Sequence, residues 1–579
     1  TSGQEDIQKT WWKEAIIYQI YPRSFQDSDG DGIGDLNGIT SRLDYIQSLG
    51  VDIIWLNPIF LSPNDDNGYD ISDYREIMRE FGTMEDFDRL LKEIHKREMR
   101  LVLDLVVNHT SDEHPWFEEA RKSRHNPYYN YYHWWPAEKG EPPLRLSYFD
   151  EEGNAWMYNK STDSYYLHYF SRKQPDLNWE NPEVRQEIFD MMRFWFDKGI
   201  DGFRMDSISL IAKDPSFPLI DSKKYPDIFS FYAKEPRLHL YLHEMNRQVL
   251  SIYDCMSVGE GSAVMVDDVA KFVDPAREEL NMLYHFDAAR IRNTTLPDNP
   301  ESGIDYSLIA LKKMFTEWDK AVDKGWPSIY LGNHDQPRMV SRFGSDKDEF
   351  RALSAKMLIT FLLTMRGTPY WFAGDEIGMR NIRFDRIEDY NDIDTINRYK
   401  KAKAEGKDPQ AVLDEQKETG RDNARTPFQW DRSPEAGFTA GTPWLKVNPD
   451  YTWINVADEE KDPTSILNYF KKVVSFRKEN PSLIYGSYHL LDAENPQSYT
   501  FLRKTGADTY LIMLNFSPKA TISTPGIDMS NAHVLLDNYG DRSHMAPQKD
   551  ITLRPFEAIV FQLNHPVYES FIDSLDLLE

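Results

Sequence analysis

Along the chain, short apolar runs of strand character alternate with longer stretches in which apolar positions recur every three to four residues. The short runs fall at 16–22 (IIYQIYP), 52–58 (DIIWLNP), 101–109 (LVLDLVVNH), 202–206 (GFRMD), 255–260 (CMSVGE), 283–287 (LYHFD), 328–335 (SIYLGNHD) and 368–376 (TPYWFAGDE). Between most of them lie amphipathic patterns such as TMEDFDRLLKEIHKREM at 83–99 and PEVRQEIFDMMRFWFDKG at 182–199. These begin acidic and end basic, as the helix dipole favours. Repeated strand–helix alternation predicts an α/β fold, a (β/α)8 TIM barrel, whose active sites lie at the carboxyl ends of the strands.

Two stretches break the alternation. Residues 110–180 carry the aromatic strings NPYYNYYHWWP and YYLHYFSRKQPDLNW. That is too long for an ordinary strand-to-helix loop and predicts a small inserted domain after the third strand. Residues 379–440 follow the eighth strand and hold a charged, helix-patterned segment ending in GRDNARTPFQW. After a last helical pattern near 465–480, short alternating runs such as SYTFLRKTG and TYLIMLNF, bounded by turn residues, predict an antiparallel β domain. The expected organisation is a catalytic barrel over 1–109 and 181–484, an inserted domain over 110–180 and a C-terminal β domain over 485–579.

Composition narrows the function. With 67 Lys+Arg against 95 Asp+Glu, the net charge of −28 disfavours nucleic acid and anionic membrane surfaces as partners. The 15 Trp and 32 Tyr offer rings suited to stacking on sugar faces, though bulk packing accounts for part of that count. One cysteine, Cys255, excludes an internal disulfide and a thiol cluster for a metal. Apolar runs such as VDIIWL and MLITFLL are far shorter than the ~18 residues of a membrane span. The start, TSGQEDIQK, lacks a signal-peptide core and an initiator Met. A cytoplasmic monomer is expected, or a periplasmic or secreted one if Thr1 is a processed end.

Candidate chemistry gathers at the strand tips. In GFRMDSISL, Asp206 stands two residues after Arg204. A carboxylate beside a fixed cation is expected to stay ionised and available as a nucleophile. Alone, such a pair serves equally well as a structural ion pair. DLVVNHTS at 104–111, SVGEG at 257–261 and LGNHDQPR at 331–338 also end apolar runs in a carboxylate or histidine, and four polar-tipped strands are hard to explain as packing. Separately, DSDGDGIGD at 27–35 spaces Asp27, Asp29, Asp31 and Asp35 as a hard cation requires, although its twelfth position is Gly38 where a calcium loop of the helix–loop–helix type has Glu.

From about residue 11 to the C-terminal β domain, the motifs WWKEAIIYQIYPRSF, SPNDDNGYDISDY, DLVVNHTSDEH, QPDLNW, GFRMD, VGE, NHDQPR and RDNARTPFQWD stand in one order. In this the chain resembles the oligo-1,6-glucosidase and α-glucosidase branch of the α-amylase family of glycoside hydrolases. QPDLN at 174–178 is a mark of that branch rather than of true α-amylases. The resemblance implies a retaining exo-α-glucosidase acting on short oligosaccharides. Its nucleophile would be Asp206, its proton donor Glu260 and its transition-state stabiliser Asp335, with the two reacting carboxylates about 5–5.5 Å apart. It also implies that His109, Phe170, Gln174, Arg204 and His334 surround the bound glucose, while Asp66, Tyr69 and Arg421 close its non-reducing end. Arg425 is expected to brace the loop. In relatives the loop after the first strand holds a structural calcium ion, with the Ile33 carbonyl added to Asp27, Asp29, Asp31 and Asp35; catalysis itself needs no cofactor.

Three competing functions remain on the same scaffold. A non-catalytic transporter-associated homologue would have no reason to keep Asp206, Glu260 and Asp335 together. A trehalose-phosphate hydrolase would need a phosphate site that no motif locates. Sucrose isomerases and transglucosylases share the triad and differ in how they exclude water. The isomerases carry an aromatic residue two positions after the acid, where this chain has Ser262, and a basic RLDRD-type loop where it reads RIRNTTLPD at 290–298. With only Phe286 left of a two-sided aromatic clamp, water is expected to reach the intermediate. Relatives selective for α-1,6 bonds commonly have Val after the nucleophile; Ser207 here leaves room for α-1,4 substrates as well.

Overall fold

A computed structural model describes residues 9–149, 153–506 and 508–563. The residues Thr1–Gln8, on which the reading of the N-terminus turned, lie outside that range, as does the end of the predicted C-terminal domain.

Eight parallel strands form one sheet: β1 Ile17–Ile20, β2 Ile53–Leu56, β3 Arg100–Val106, β4 Gly202–Asp206, β5 Met256–Glu260, β6 Met282–Tyr284, β7 Ser328–Ile329 and β8 Thr368–Phe372. They are hydrogen-bonded in the order β6-β5-β4-β3-β2-β1-β8-β7. Each of the eight runs in the sequence overlaps one of them, with β3 and β6 each starting one residue earlier than the run, so the barrel follows the alternation. All residues of β1, β2, β4, β5 and β8 are buried, because parallel strands are covered by side chains on the inside and helices on the outside. The two helices read from the sequence form at Met84–Lys96 and Pro182–Lys198. The first starts at a capping box, with the Thr83 side chain accepting from Asp86 and the Asp86 side chain accepting from Thr83. The second starts at Asn181 with Pro182 and stops at Gly199 in the left-handed conformation.

Strand ends differ from the runs in one useful way. The seventh run extends to residue 335 in the sequence, but β7 is only two residues long. The chain then leaves the sheet, and the Asn333 side chain accepts from the Asp335 backbone N–H at 2.8 Å. His109 likewise lies beyond the end of β3, bridged antiparallel to Asp176.

Within 110–180, a three-stranded antiparallel sheet forms from Trp134–Pro136, Ser164–Leu167 and Trp156–Asn159. After Ile466–Glu479, the last long helix, a five-stranded antiparallel sheet forms from β9 Ser487–Leu491, β10 Ser498–Thr505, β11 Asp508–Asn515, β12 His533–Asp537 and β13 Ala558–Leu563. Arg503, on β10, is fully buried and donates to the carbonyls of Thr364, Leu483, Ile484 and Gly486. A guanidinium that finds carbonyls instead of a carboxylate ties this sheet to the barrel. No helix among the described residues is long and apolar enough to cross a membrane.

Candidate active site

Asp206 and Glu260 are the last residues of β4 and β5, two neighbouring strands, so both carboxylates reach the same end of the barrel. They border a cavity of about 330 Å³ together with Asp66, Tyr69, His109, Phe170, Asp335 and Arg421. Arg204, Gln174 and His334, expected at the sugar, are buried immediately behind that wall and act through the residues on it. The wall also holds Tyr148, Phe149, Ser207, Ser262, Ala263, Phe286, Asp394 and Arg398.

Arg204 is the hub. Its side chain is fully buried, and Nη1 donates to both oxygens of Asp104 at 2.9 and 3.2 Å and to Asp206 at 3.2 Å. Nη2 donates to Glu260 and to the Tyr284 hydroxyl, and Nε also reaches that hydroxyl at 2.8 Å. One cation therefore serves three buried carboxylates. Arg204 is thus not the private partner of Asp206 that their spacing in the sequence suggests. Burial and the neighbouring Glu260 push the Asp206 carboxyl well up against the pull of Arg204, and burial also pushes Glu260 up. Sharing one cation, the two carboxyls titrate as a coupled pair. Asp335 behaves oppositely. Burial works to raise it, but His334, Arg421, Arg425 and Arg204 together hold it well below the usual carboxylate range.

A stack of rings fixes the floor. Tyr69 lies parallel to His334 with ring centroids 5.4 Å apart. Its hydroxyl donates to Asp104 at 2.8 Å and meets His334 Nε2 at 2.7 Å. His109 Nε2 meets the Tyr69 carbonyl at 2.9 Å and the Gln174 amide at 3.2 Å, while Gln174 also donates to Asp66 at 3.4 Å. Burial lowers His109 to about 3, so its ring is neutral near pH 7 and serves as a hydrogen-bonding group, and burial also depresses His334 against the pull of Asp335.

The closed end is built around Arg421. Its ion pair with Asp66 spans 3.5 Å, but its main partner is Asp392, which takes Nε at 2.9 Å and Nη2 at 2.5 Å. Nη1 donates to Asp335 at 3.3 Å. Burial pushes Asp66 up to about 7 despite the two arginines. Arg425 does brace the loop, through the His334 carbonyl at 2.9 Å, and it also donates to Asp335 at 3.1 Å.

The open side is aromatic. Tyr148 stacks on Phe170 at 5.2 Å and on Phe229 at 4.3 Å, and the Arg421 guanidinium lies 5.5 Å from the Phe149 ring. Phe286 lines the cavity from the end of β6, as the sequence comparison of clamps expects. Arg292, in the RIRN segment, turns away to the Arg342 carbonyl and Asp305.

Asp104, Tyr284, Asp392, Tyr148, Asp394 and Arg398 were not singled out from the sequence. Asp104 sits in an apolar strand run, and an inward carboxylate there was a usable signal. The other five occupy unremarkable local sequence.

The 27–35 loop lies apart from the cavity wall. Asp27, Asp29 and Asp35 each offer a carboxylate oxygen, all within 4.8 Å of one another, whereas Asp31 is outside this set and accepts from the Ile33 N–H at 2.9 Å. Burial and hydrogen bonding to Asp27 and Asp31 push Asp29 up to about 6. Gly32, at φ +87°, is required because a Cβ there would stand 1.8 Å from the Thr442 carbonyl oxygen. The convergent oxygens and the repulsion among them fit a hard divalent cation.

The α-amylase catalytic-domain family matches residues 19–486. The chain is 51% identical over 571 residues to an oligo-1,6-glucosidase of Parageobacillus thermoglucosidasius, covering 97% of this chain and 100% of that one. It is 49% identical over 567 residues to an oligo-1,6-glucosidase of Bacillus cereus, covering 96% and 100%. The solved trehalulose synthase of Pseudomonas mesoacidophila MX-45 superposes with a TM-score of 0.90 at 43% identity, over 96% of this chain and 99% of that one.

Proposed function

The chain belongs to the α-amylase catalytic-domain family, and from that premise we propose that it is a retaining exo-α-glucosidase. It removes terminal non-reducing glucose from short α-1,6-linked, and also α-1,4-linked, oligosaccharides. The observation that carries this reading is a cavity with Asp206, Glu260 and Asp335 on its wall and one end closed by Asp66, Arg421 and Asp392. A glucose ring entering such a cavity meets a charged end it cannot pass, so only a chain terminus reaches the carboxylates.

In the proposed reaction Asp206 attacks the anomeric carbon while Glu260, carrying the proton of the pair, gives it to the departing glycosidic oxygen. Water then enters and attacks the anomeric carbon, Glu260 takes a proton from it, the bond to Asp206 breaks, and glucose leaves with its anomeric configuration retained. Two carboxylates bound to adjacent nitrogens of one guanidinium are close-set, which favours this double displacement over one that must house a water between them. Asp335, kept ionised, faces the positive charge that develops on the sugar.

Hydrolysis is favoured over sucrose isomerisation because the position two residues after the acid is Ser262 and no arginine of the 290–298 segment lines the cavity. The test is a product analysis from isomaltose, panose, maltose, trehalose and sucrose side by side. Single α-glucose units from isomaltose and panose are expected, with starch viscosity unchanged. Isomaltulose or trehalulose as the main product of dilute sucrose would overturn the reading.

We further propose that Asp27, Asp29 and Asp35 hold a calcium ion whose role is structural, since the loop contributes nothing to the cavity wall. A site complete within one chain supports action as a monomer.

A further inference from the structure

The turns that follow the two reacting carboxylates are joined to each other through the acid. Ser207 takes the left-handed conformation at φ +44°, which a serine adopts only against a steric cost. That turn aims both its N–H, at 3.3 Å, and its hydroxyl, at 3.2 Å, at Oε1 of Glu260. From the other turn the Ser262 hydroxyl reaches the same oxygen at 3.1 Å. Ser209, two residues past Ser207, donates to the Ser262 carbonyl at 2.5 Å and so fixes one turn against the other. The two oxygens of Glu260 are thereby made unlike. Oε2 faces Arg204 and Tyr284, whereas Oε1 faces two hydroxyls and one backbone N–H.

We propose that Ser207 and Ser262 are positioning residues that hold Oε1 of Glu260 toward the glycosidic oxygen and set the pH at which the acid gives up its proton. This rests on Glu260 being the proton donor. A hydroxyl, unlike a methyl group, donates to the carboxylate and accepts from the carboxylic acid, so Oε1 keeps partners in both states of the catalytic cycle. Oε2, held by a cation, is the oxygen that stays unprotonated, and Oε1 is the one that carries the proton outward. Other charged or titratable groups face Glu260 from every side: Arg204 and Asp206 on β4, Tyr284 on β6, Asp104 on β3, and Asp335, Tyr330 and Tyr148 from the surrounding loops. The serines are neutral, so removing a hydroxyl changes the balance between the two states of Glu260 without altering the charge of the site. It withdraws a bond from both states, and the bond to the charged carboxylate is the stronger one, so the protonated acid is favoured.

The test measures kcat/KM for isomaltose against pH in Ser207→Ala, Ser262→Ala, the double variant and Ser207→Thr, with thermal melts alongside. Each lost hydroxyl is expected to move the basic limb upward by about half to one pH unit, the double variant further, and Ser207→Thr to keep the limb near its original place. A double variant that melts as the parent does and keeps the parent's basic limb would overturn the proposal. Glu260→Gln, assayed on aryl α-glucosides with good and poor leaving groups, separates the two levels. A loss confined to poor leaving groups upholds Glu260 as the acid, so an unmoved limb then counts against the serines alone. An equal loss on both would remove the acid assignment, and the serine proposal with it.

Discussion

Two clusters of carboxylates in this molecule are made of the same residue types and behave differently. In the 27–35 loop, Asp27, Asp29 and Asp35 lie close together near the surface with no basic side chain among their hydrogen-bond partners. Much of their demand for donors is met by the loop's own N–H groups, with Asp29, Gly30 and Gly32 donating to Asp27, Ser28 and Gly38 to Asp35, and Asp31 to Asp29. In the cavity, Asp206, Glu260, Asp104 and Asp335 are buried around three arginines. The loop gathers negative charge without a basic side chain to offset it. The barrel end neutralises part of its charge with fixed guanidinium groups and keeps one carboxyl pair short of a full complement. A shortfall of that kind would leave a proton to be donated, whereas a surplus like the loop's would suit a cation.

The largest effect should come from the cavity cluster. Asp206→Asn is expected to cut kcat on the order of 10⁴–10⁶-fold with an unchanged melt, because it removes the group that forms the covalent intermediate. Azide should restore turnover to Asp206→Gly, with β-glucosyl azide as the product. Undiminished hydrolysis by Asp206→Asn would erase the distinction drawn between the clusters.

Next comes pH. Turnover needs one proton on the Asp206–Glu260 pair, since a second proton blocks the nucleophile and loss of the first removes the acid. The profile of kcat/KM should therefore be bell-shaped, with the basic limb belonging to the pair that burial has pushed up. Glu260→Gln should remove the basic limb, and a profile that keeps it would place the proton elsewhere.

A smaller effect is expected at the closed end. Asp392→Asn withdraws the bidentate partner of Arg421 and should lower kcat/KM for isomaltose by about tenfold to a hundredfold. A loss no greater than that of a remote surface substitution would show that Asp66 and Asp335 suffice to orient Arg421.

The smallest belongs to the loop. Chelation should lower the melting temperature by about one to a few degrees through loss of binding to the native state, with little change in activity at low temperature. The sign with pH follows from Asp29. Its folded-state affinity for a proton is raised, to about 6, so without metal the folded loop loses stability as pH rises from the ordinary aspartate range through about 6. The stabilisation by added calcium should accordingly be larger at pH 7 than at pH 5. An equal increment at both would mean that the ion does not sit on Asp29.

The sequence reveals the barrel because its signals are local. Alternating strand and helix periods survive as patterns in one dimension, and Asp206 and Glu260 announce themselves by ending apolar runs. The acidic loop is similarly legible, since all its carboxylates fall within nine residues. Asp392 is not. It lies 29 residues before Arg421, in a stretch whose acidic side chains read as a solvated face, and only folding makes it that arginine's main partner. Tyr284 looks like one more aromatic residue in a buried strand until β6 brings it beside Arg204. Ser207 and Ser262 are 55 residues apart, and nothing in either neighbourhood indicates that both point to one oxygen.

Residue order alone determined which side chains end the strands, and so which carboxylates could be brought together, because a strand delivers its last residue to the same end of a barrel wherever the strand falls in the chain. Tertiary structure decided how those carboxylates ionise. Arg204 stands two residues before Asp206 in the sequence, which reads as a private ion pair, yet the barrel surrounds it with Asp104 and Glu260 as well. Electrostatic energy depends on distance and burial in three dimensions, so the shifts that would make one carboxyl an acid and its neighbour a nucleophile arise only once the strands have closed.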